Sequence, residues 1–245
     1  MQIIKYLQLP FFFDAGLLQQ EVDALSAMQW LPHYQVKHYE GEWSAIPLRS
    51  IAGKVDDIII SPTDNRDYRD TIFLERSPYL KEVLQTFECP LQAVRLLKLN
   101  AGSIIKEHHD AELNFESGEI RLHIPVLTHA DVEFFLDKEK MDLKAGECWY
   151  MYFNLPHAIN NKSKINRVHL VIDALVNDWV KELFAGTACP VKKEIEDSSG
   201  VYDEATKKQM ITAFREMNTA VSNKMADELE KEMLPEIIGT GRSSA

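Results

Sequence analysis

Positive charge is in short supply in this chain. Against 38 aspartates and glutamates stand only 27 lysines and arginines, a formal net charge of −11 over 245 residues. The basic stripe that nucleic-acid binding needs is not expected, and an anionic membrane surface is a poor partner. No apolar run approaches the ~18 residues of a spanning helix. The start, Met1-Gln2-Ile3-Ile4-Lys5, carries no basic leader ahead of a long apolar run. Cysteine is scarce: Cys89, Cys148 and Cys189 form no CxxC pair and cannot all pair with one another. A reduced, cytoplasmic setting is the simplest expectation. Glycine and proline, ten of each, are too few for a low-complexity chain, and an apolar fraction of 45% suits a globular one. No internal repeat is visible. The length holds one large domain, or one domain and an appendage.

What is present is strand pattern in the middle and helix pattern at both ends. Asp14 is a candidate N-cap for a helix carrying Leu17, Leu18, Val22, Leu25 and Met28 on one face. Residues 30–75 alternate in patches around the turn signals Pro62, Asp64 and Asn65, and read as short strands and loops. Ser77 and Pro78 open a second helix to about Phe87. Strands follow at 93–99, 104–108, 119–128, 132–136, 147–153 and 167–176, separated by turn-like pieces such as Lys144-Ala145-Gly146 and 160–163. Strands of this length and spacing predict a mainly β fold with flanking helices, a jelly roll (double-stranded β-helix, cupin-like). From Asp203 a helical stripe of Met210, Phe214, Met217, Val221, Met225, Leu229 and Met233 runs to Pro235. It packs either on the barrel or on a second copy of the chain. The expected division is a domain over 1–190, with an N-terminal helical layer over 1–90 and a barrel core over 92–176, then a C-terminal helical extension and tail over 191–245.

The chemistry-bearing residues lie in the strand region. His108 and Asp110 are two apart, so on a strand both point the same way. His157, after a proline and beyond a strand end, is the candidate third ligand. Two imidazoles and a carboxylate form a mixed donor set suited to iron(II), with positions left for a cosubstrate and dioxygen. His109 faces away from its neighbours and reads as structural. Arg167 opens the last strand. Its guanidinium can hold the far carboxylate of a 2-oxo acid by bidentate, charge-assisted hydrogen bonds. The competing reading is a surface ion pair. Arg121 and His123 share one face of a strand, with Leu122 and Ile124 on the other. Inward polar groups need partners: a cosubstrate or substrate acid group, or a buried Glu or Asp. Trp30, Tyr34, Trp43 and Arg49 are candidates for shaping a substrate pocket.

At these residues the chain resembles the aspartyl/asparaginyl β-hydroxylase family of iron(II)- and 2-oxoglutarate-dependent dioxygenases. The matching blocks are HHD at 108–110, RLHIPV at 121–126, AGECWY at 145–150, PHAINNKS at 156–163 and NRVHLVID at 166–173. The resemblance covers roughly residues 92–176 and leaves the C-terminal helical segment outside. It implies a jelly roll with His108, Asp110 and His157 on Fe(2+), and Arg167 on the C5 carboxylate of 2-oxoglutarate. Arg121 and His123 would be cosubstrate or substrate contacts. O2 would be the oxidant, and the reaction the hydroxylation of an unactivated C–H of an amino acid or amino-acid side chain, free, carrier-bound or peptidyl. Asp110 is retained where the animal peptide-modifying members carry glycine. In this the chain resembles bacterial members, the cis-proline hydroxylases among them. Its partner would be a small-molecule or amino-acid-derived substrate. A cupin-type isomerase, a non-catalytic binding module and an interaction protein working through the C-terminal helix remain open alternatives.

Overall fold

The computed structural model describes residues 2–28, 30–59, 67–110, 113–188, 190–195, 204–217 and 220–233. In chain order the elements begin β1 (Gln2–Phe12), α1 (Ala15–Leu25), β2 (Leu31–Pro32), β3 (Tyr39–Glu40), β4 (Trp43–Ile51), β5 (Tyr68–Asp70), α2 (Ile72–Glu75) and α3 (Pro78–Gln85). Then come β6 (Leu91–Leu99), β7 (Ile104–His108), β8 (Glu119–Leu127), β9 (Val132–Leu136), β10 (Glu139–Met141), β11 (Glu147–Met151), β12 (His157–Asn161) and β13 (Arg167–Leu175). The chain continues through α4 (Asp178–Gly186), β14 (Val191–Glu194), α5 (Glu204–Met217) and α6 (Ala220–Glu232). The described residues of Gln2–Glu194 form one compact unit and those from Ile195 onward a second. Among the described residues no helix is long and apolar enough to cross a membrane.

Two antiparallel sheets make the jelly roll. The larger runs β14-β1-β11-β8-β13-β6-β4-β2, with β5 beside β4, and the smaller runs β10-β9-β12-β7-β3. Alternation along β13 explains the layering. Val168, Leu170, Ile172 and Ala174 join the hydrophobic core, while Arg167, His169 and Asp173 are buried on the opposite face. On β8, Leu122 and Ile124 join the same core, and Arg121 and His123 oppose them. That core also takes Leu18, Val22 and Leu25 of α1, Leu80, Val83 and Leu84 of α3, and Val180 and Phe184 of α4. The main apolar core therefore lies behind the large sheet, against the helices, and the space between the sheets is left for polar groups.

The local signals behave as their chemistry requires. Asp14 caps α1, its Oδ1 accepting from the amides of Gly16 and Leu17 at 2.8 and 3.0 Å. Gly146, at φ +85°, donates to the Pro125 carbonyl, and a Cβ there would strike the Phe13 carbonyl oxygen. Only glycine lets β1 end against this turn.

Several expectations change. Residues 1–90 are not a purely helical layer. They supply five strands, and β1 and β4 extend the large sheet at opposite sides. Phe11 and Phe12 end β1, a strand that sequence periodicity hid because Lys5 falls among the apolar positions of its buried face. The segment 160–163 read as a turn, but Asn160 and Asn161 belong to β12. Asn161 is buried because its Nδ2 donates to the carbonyls of Leu99, Asn100 and Ile165. Val191–Glu194, placed in the extension, pairs with β1 as β14. The single C-terminal helix is two, α5 and α6, clasped by Arg215 to Asp227 at 2.6 Å and to Glu230 at 3.0 Å. Cys89 and Cys148 are free thiols. Cys189, Pro62, Asp64, Asn65, Pro235 and the tail lie outside the described residues.

Candidate active site

His108 ends β7 and His157 begins β12, and the register pairs the two residues directly across the small sheet. Their rings sit 4.2 Å apart, centroid to centroid. Asp110 follows two residues after His108, its amide donating to the Phe153 carbonyl at 2.9 Å. One donor atom from each of His108, Asp110 and His157 lies within 4.8 Å of the others, a spacing that can hold one metal ion. His109 is exposed and apart from the group.

The tautomers suit ligation. Nδ1 of His108 lies 2.8 Å from the Lys106 carbonyl, and Nδ1 of His157 lies 3.1 Å from the Leu155 carbonyl. A carbonyl only accepts, so each Nδ1 carries the proton and each Nε2 keeps its lone pair. Burial, then the neighbouring His108, pushes His157 down to about 4, so it is neutral at physiological pH. Burial alone would raise the Asp110 carboxyl. Arg121 above all, with the two imidazoles, outweighs it and holds the group below the usual carboxylate range.

Arg121 is fully engaged. Its Nη1 donates to Asp110 Oδ2 at 2.5 Å, its Nε to Asp173 Oδ1 at 2.6 Å and its Nη2 to Asp173 Oδ2 at 3.2 Å. The buried-acid partner left open by the sequence is Asp173, which faces Arg121 across β8 and β13. Arg95 adds a second cation, Nη2 to Asp173 Oδ2 at 3.0 Å.

Arg167 is the contrast. It is 2% exposed. Its Nη2 meets His169 Nδ1 at 2.8 Å, its Nε has no partner, and no carboxylate pairs with it among the described residues. The guanidinium lies 5.7 Å from the Phe134 ring. Burial pushes it down to about 9. His123 stands nearby, its Nδ1 3.3 Å from His169 Nδ1 and its Nε2 buried without a partner. Burial, then Arg167, keeps its pKa well below the ordinary histidine value.

These residues line one cavity of about 210 Å³, which holds His108, Asp110, His157, Arg121, His123 and Arg167 together. Of the four pocket-shaping candidates, Tyr34 and Trp43 line it. Trp30 instead carries the Lys98 ammonium at 4.2 Å from its ring, and Arg49 is tied to Asp70 and to the carbonyls of Leu91 and Tyr68. Sequence reasoning missed His33, stacked 3.4 Å from Trp43, and the pair Arg95 and Asp173. The period-two face of Arg167 and His169, continued two residues past Val171, reaches Asp173 and was the available signal. His33 had none.

The aspartyl/asparaginyl beta-hydroxylase family matches residues 14–176. L-proline cis-4-hydroxylase of Rhizobium meliloti is 27% identical over 164 residues, 66% of this chain and 57% of that protein. L-proline cis-3-hydroxylase 2 of a Streptomyces species is 25% identical over 177 residues, 70% of this chain and 61% of that protein. The matched region thus spans less than two thirds of either relative's length. A solved oxidoreductase of the 2OG-Fe(II) oxygenase family, from Burkholderia pseudomallei, aligns over 70% of this chain and 86% of its own, at 16% identity and a TM-score of 0.45. With more than half its length matched, the chain belongs to the aspartyl/asparaginyl beta-hydroxylase family.

Proposed function

We propose that this chain is an iron(II)- and 2-oxoglutarate-dependent dioxygenase that hydroxylates an unactivated C–H of an amino acid or amino-acid side chain. In this reading His108, Asp110 and His157 hold the iron, and Arg167 receives the distal carboxylate of 2-oxoglutarate. The observation that carries it is the pairing, in one cavity, of a two-imidazole, one-carboxylate group with a buried guanidinium that has no counter-ion among the described residues. The donor set fits iron(II), since mixed imidazole and carboxylate ligation with open positions suits non-haem oxygenase chemistry. The unpaired Arg167 fits a dianionic chelator, because a buried cation without a partner is costly until an anion arrives. The names of the two proline hydroxylases support an amino acid as the substrate class.

When bound, the iron supplies the centre at which dioxygen is activated as 2-oxoglutarate is converted to succinate and carbon dioxide. The chain's own residues supply the rest. Lys106 and Leu155 carbonyls hold the two imidazoles in the ligating tautomer. Arg121 keeps Asp110 ionised and occupies its Oδ2, so Oδ1 remains for the metal. Arg167 receives the far end of the cosubstrate, its Nη2 braced by His169 Nδ1, and His123 lines the same chamber. Phe134 and Phe153 form apolar walls that limit water.

The test is an anaerobic titration of iron(II) and 2-oxoglutarate, followed by the charge-transfer band of the chelate. Free amino acids are then screened for stimulated succinate release. A chelate band and substrate-dependent succinate support the reading. Metal binding without a 2-oxoglutarate chelate would place the chain among jelly-roll metalloproteins of another reaction class.

A further inference from the structure

Asp173 is outside the proposed ligand set, yet the arginine that holds Asp110 also holds it. It is 0% exposed, and its hydrogen bonds from side chains come from two guanidinium groups, Arg121 and Arg95. Arg121 grips it with Nε and Nη2, one nitrogen on each carboxylate oxygen. A guanidinium is planar and rigid, so fixing two of its nitrogens also fixes the third. That third nitrogen, Nη1, donates to Asp110 Oδ2 at 2.5 Å. The other Asp110 oxygen is then left 3.9 Å from His108 Nε2, on the side of the imidazoles. Arg95 anchors Asp173 from a neighbouring strand at 3.0 Å, so the carboxylate cannot follow Arg121 if Arg121 swings.

We propose that Asp173 is a positioning residue: through Arg121 it sets the orientation of the Asp110 carboxylate and makes it a one-oxygen metal ligand. The inference rests on the reading of His108, Asp110 and His157 as the metal site. A purely structural role for Asp173 explains its burial but not the chain of bonds. Well-packed apolar residues would fill the same space with equal or greater stability. The hydrogen-bonded series Arg95, Asp173, Arg121, Asp110 runs along the inward face of the large sheet, from β6 through β13 and β8, to the metal site without a break. Partners that orient a ligating group are worth about 10–100-fold in metal affinity.

The experiment compares Co(II) binding by calorimetry and the Co(II) ligand-field spectrum in the parent and in Asp173→Asn, with the thermal midpoint of the metal-free protein as the fold control. An amide keeps the shape of Asp173 but offers one acceptor oxygen in place of two. Co(II) affinity should fall about tenfold or more with an altered spectrum. In an Arg121→Gln background the same substitution should add almost nothing, because the effect travels through Arg121. If Asp173→Asn fails to fold, Asp173→Asn with Arg95→Met, which removes one charge of each sign, is measured in its place. Unchanged affinity and spectrum overturn the proposal, as do additive losses in the Arg121→Gln background or the failure of both variants to fold. A parent that binds no Co(II), or a folded His157→Ala variant that binds it as well as the parent, would instead defeat the metal-site reading itself.

Discussion

Replacing Arg167 with methionine should move stability and cosubstrate affinity in opposite directions. The side chain is almost wholly buried and has no anionic partner among the described residues. Burial takes the guanidinium from the ordinary arginine range down to about 9. At about 1.4 kcal/mol per pH unit, keeping the cation in a ligand-free chamber costs on the order of 5 kcal/mol. Methionine fills similar space without charge. Allowing for the lost bond to His169, a net gain of about 2 kcal/mol raises the thermal midpoint by roughly 4–8 °C in a chain of this size. Binding goes the other way. A dianion left in the chamber without its cation loses about 3 kcal/mol, roughly 150-fold in Kd. Differential scanning of the metal-free protein reads the first effect, and anaerobic calorimetry of 2-oxoglutarate with Mn(II) bound reads the second. If the variant melts lower than the parent, or binds 2-oxoglutarate within about threefold of it, Arg167 is a structural cation and the reasoning fails.

Other perturbations separate the site from its scaffold. His157→Ala removes the one buried imidazole ligand, and the folded variant should take up no iron(II) and release no succinate; retained turnover would contradict the assignment. Affinity for 2-oxoglutarate should be flat from neutral pH to about 9, the value at which free Arg167 loses its proton, then fall about tenfold per pH unit as binding must restore that proton. An affinity unchanged well above that value would remove the guanidinium from the anion site. Leu170→Ala, in the core behind the large sheet, should cost about 2–5 kcal/mol in denaturant unfolding while leaving metal affinity of the folded protein alone. Gly146→Ala should cost about 1–3 kcal/mol, because its Cβ would strike the Phe13 carbonyl oxygen at φ +85°; an unchanged midpoint would show that the turn relaxes freely.

Much of the barrel was legible because its strands alternate. Ile104–His108 and Val132–Leu136 fall where the pattern puts them, and the inward face of Arg121 and His123 follows from period two alone. The strands that escaped notice lack that regularity. β12 is rich in asparagine, and β1 is held in the sheet by neighbours far away in sequence. The C-terminal stripe reads as one helix because the 3.6-residue periodicity carries across the break into α6.

The sequence by itself determined which side chains point into the space between the sheets and which back onto the helices, since that depends only on local alternation. It put His108 and Asp110 two residues apart, but Asp110 lies past the end of β7, where the Phe153 carbonyl and not strand alternation positions it. Tertiary structure decided the rest, because register across strands is set by pairing over dozens of residues. It brought His157 opposite His108, gave Arg121 to Asp173 and Asp110, and left Arg167 buried with no acid beside it among the described residues. Both arginines open onto the same chamber. Only the cross-strand partners distinguish one that holds a carboxylate of the protein from one that has none.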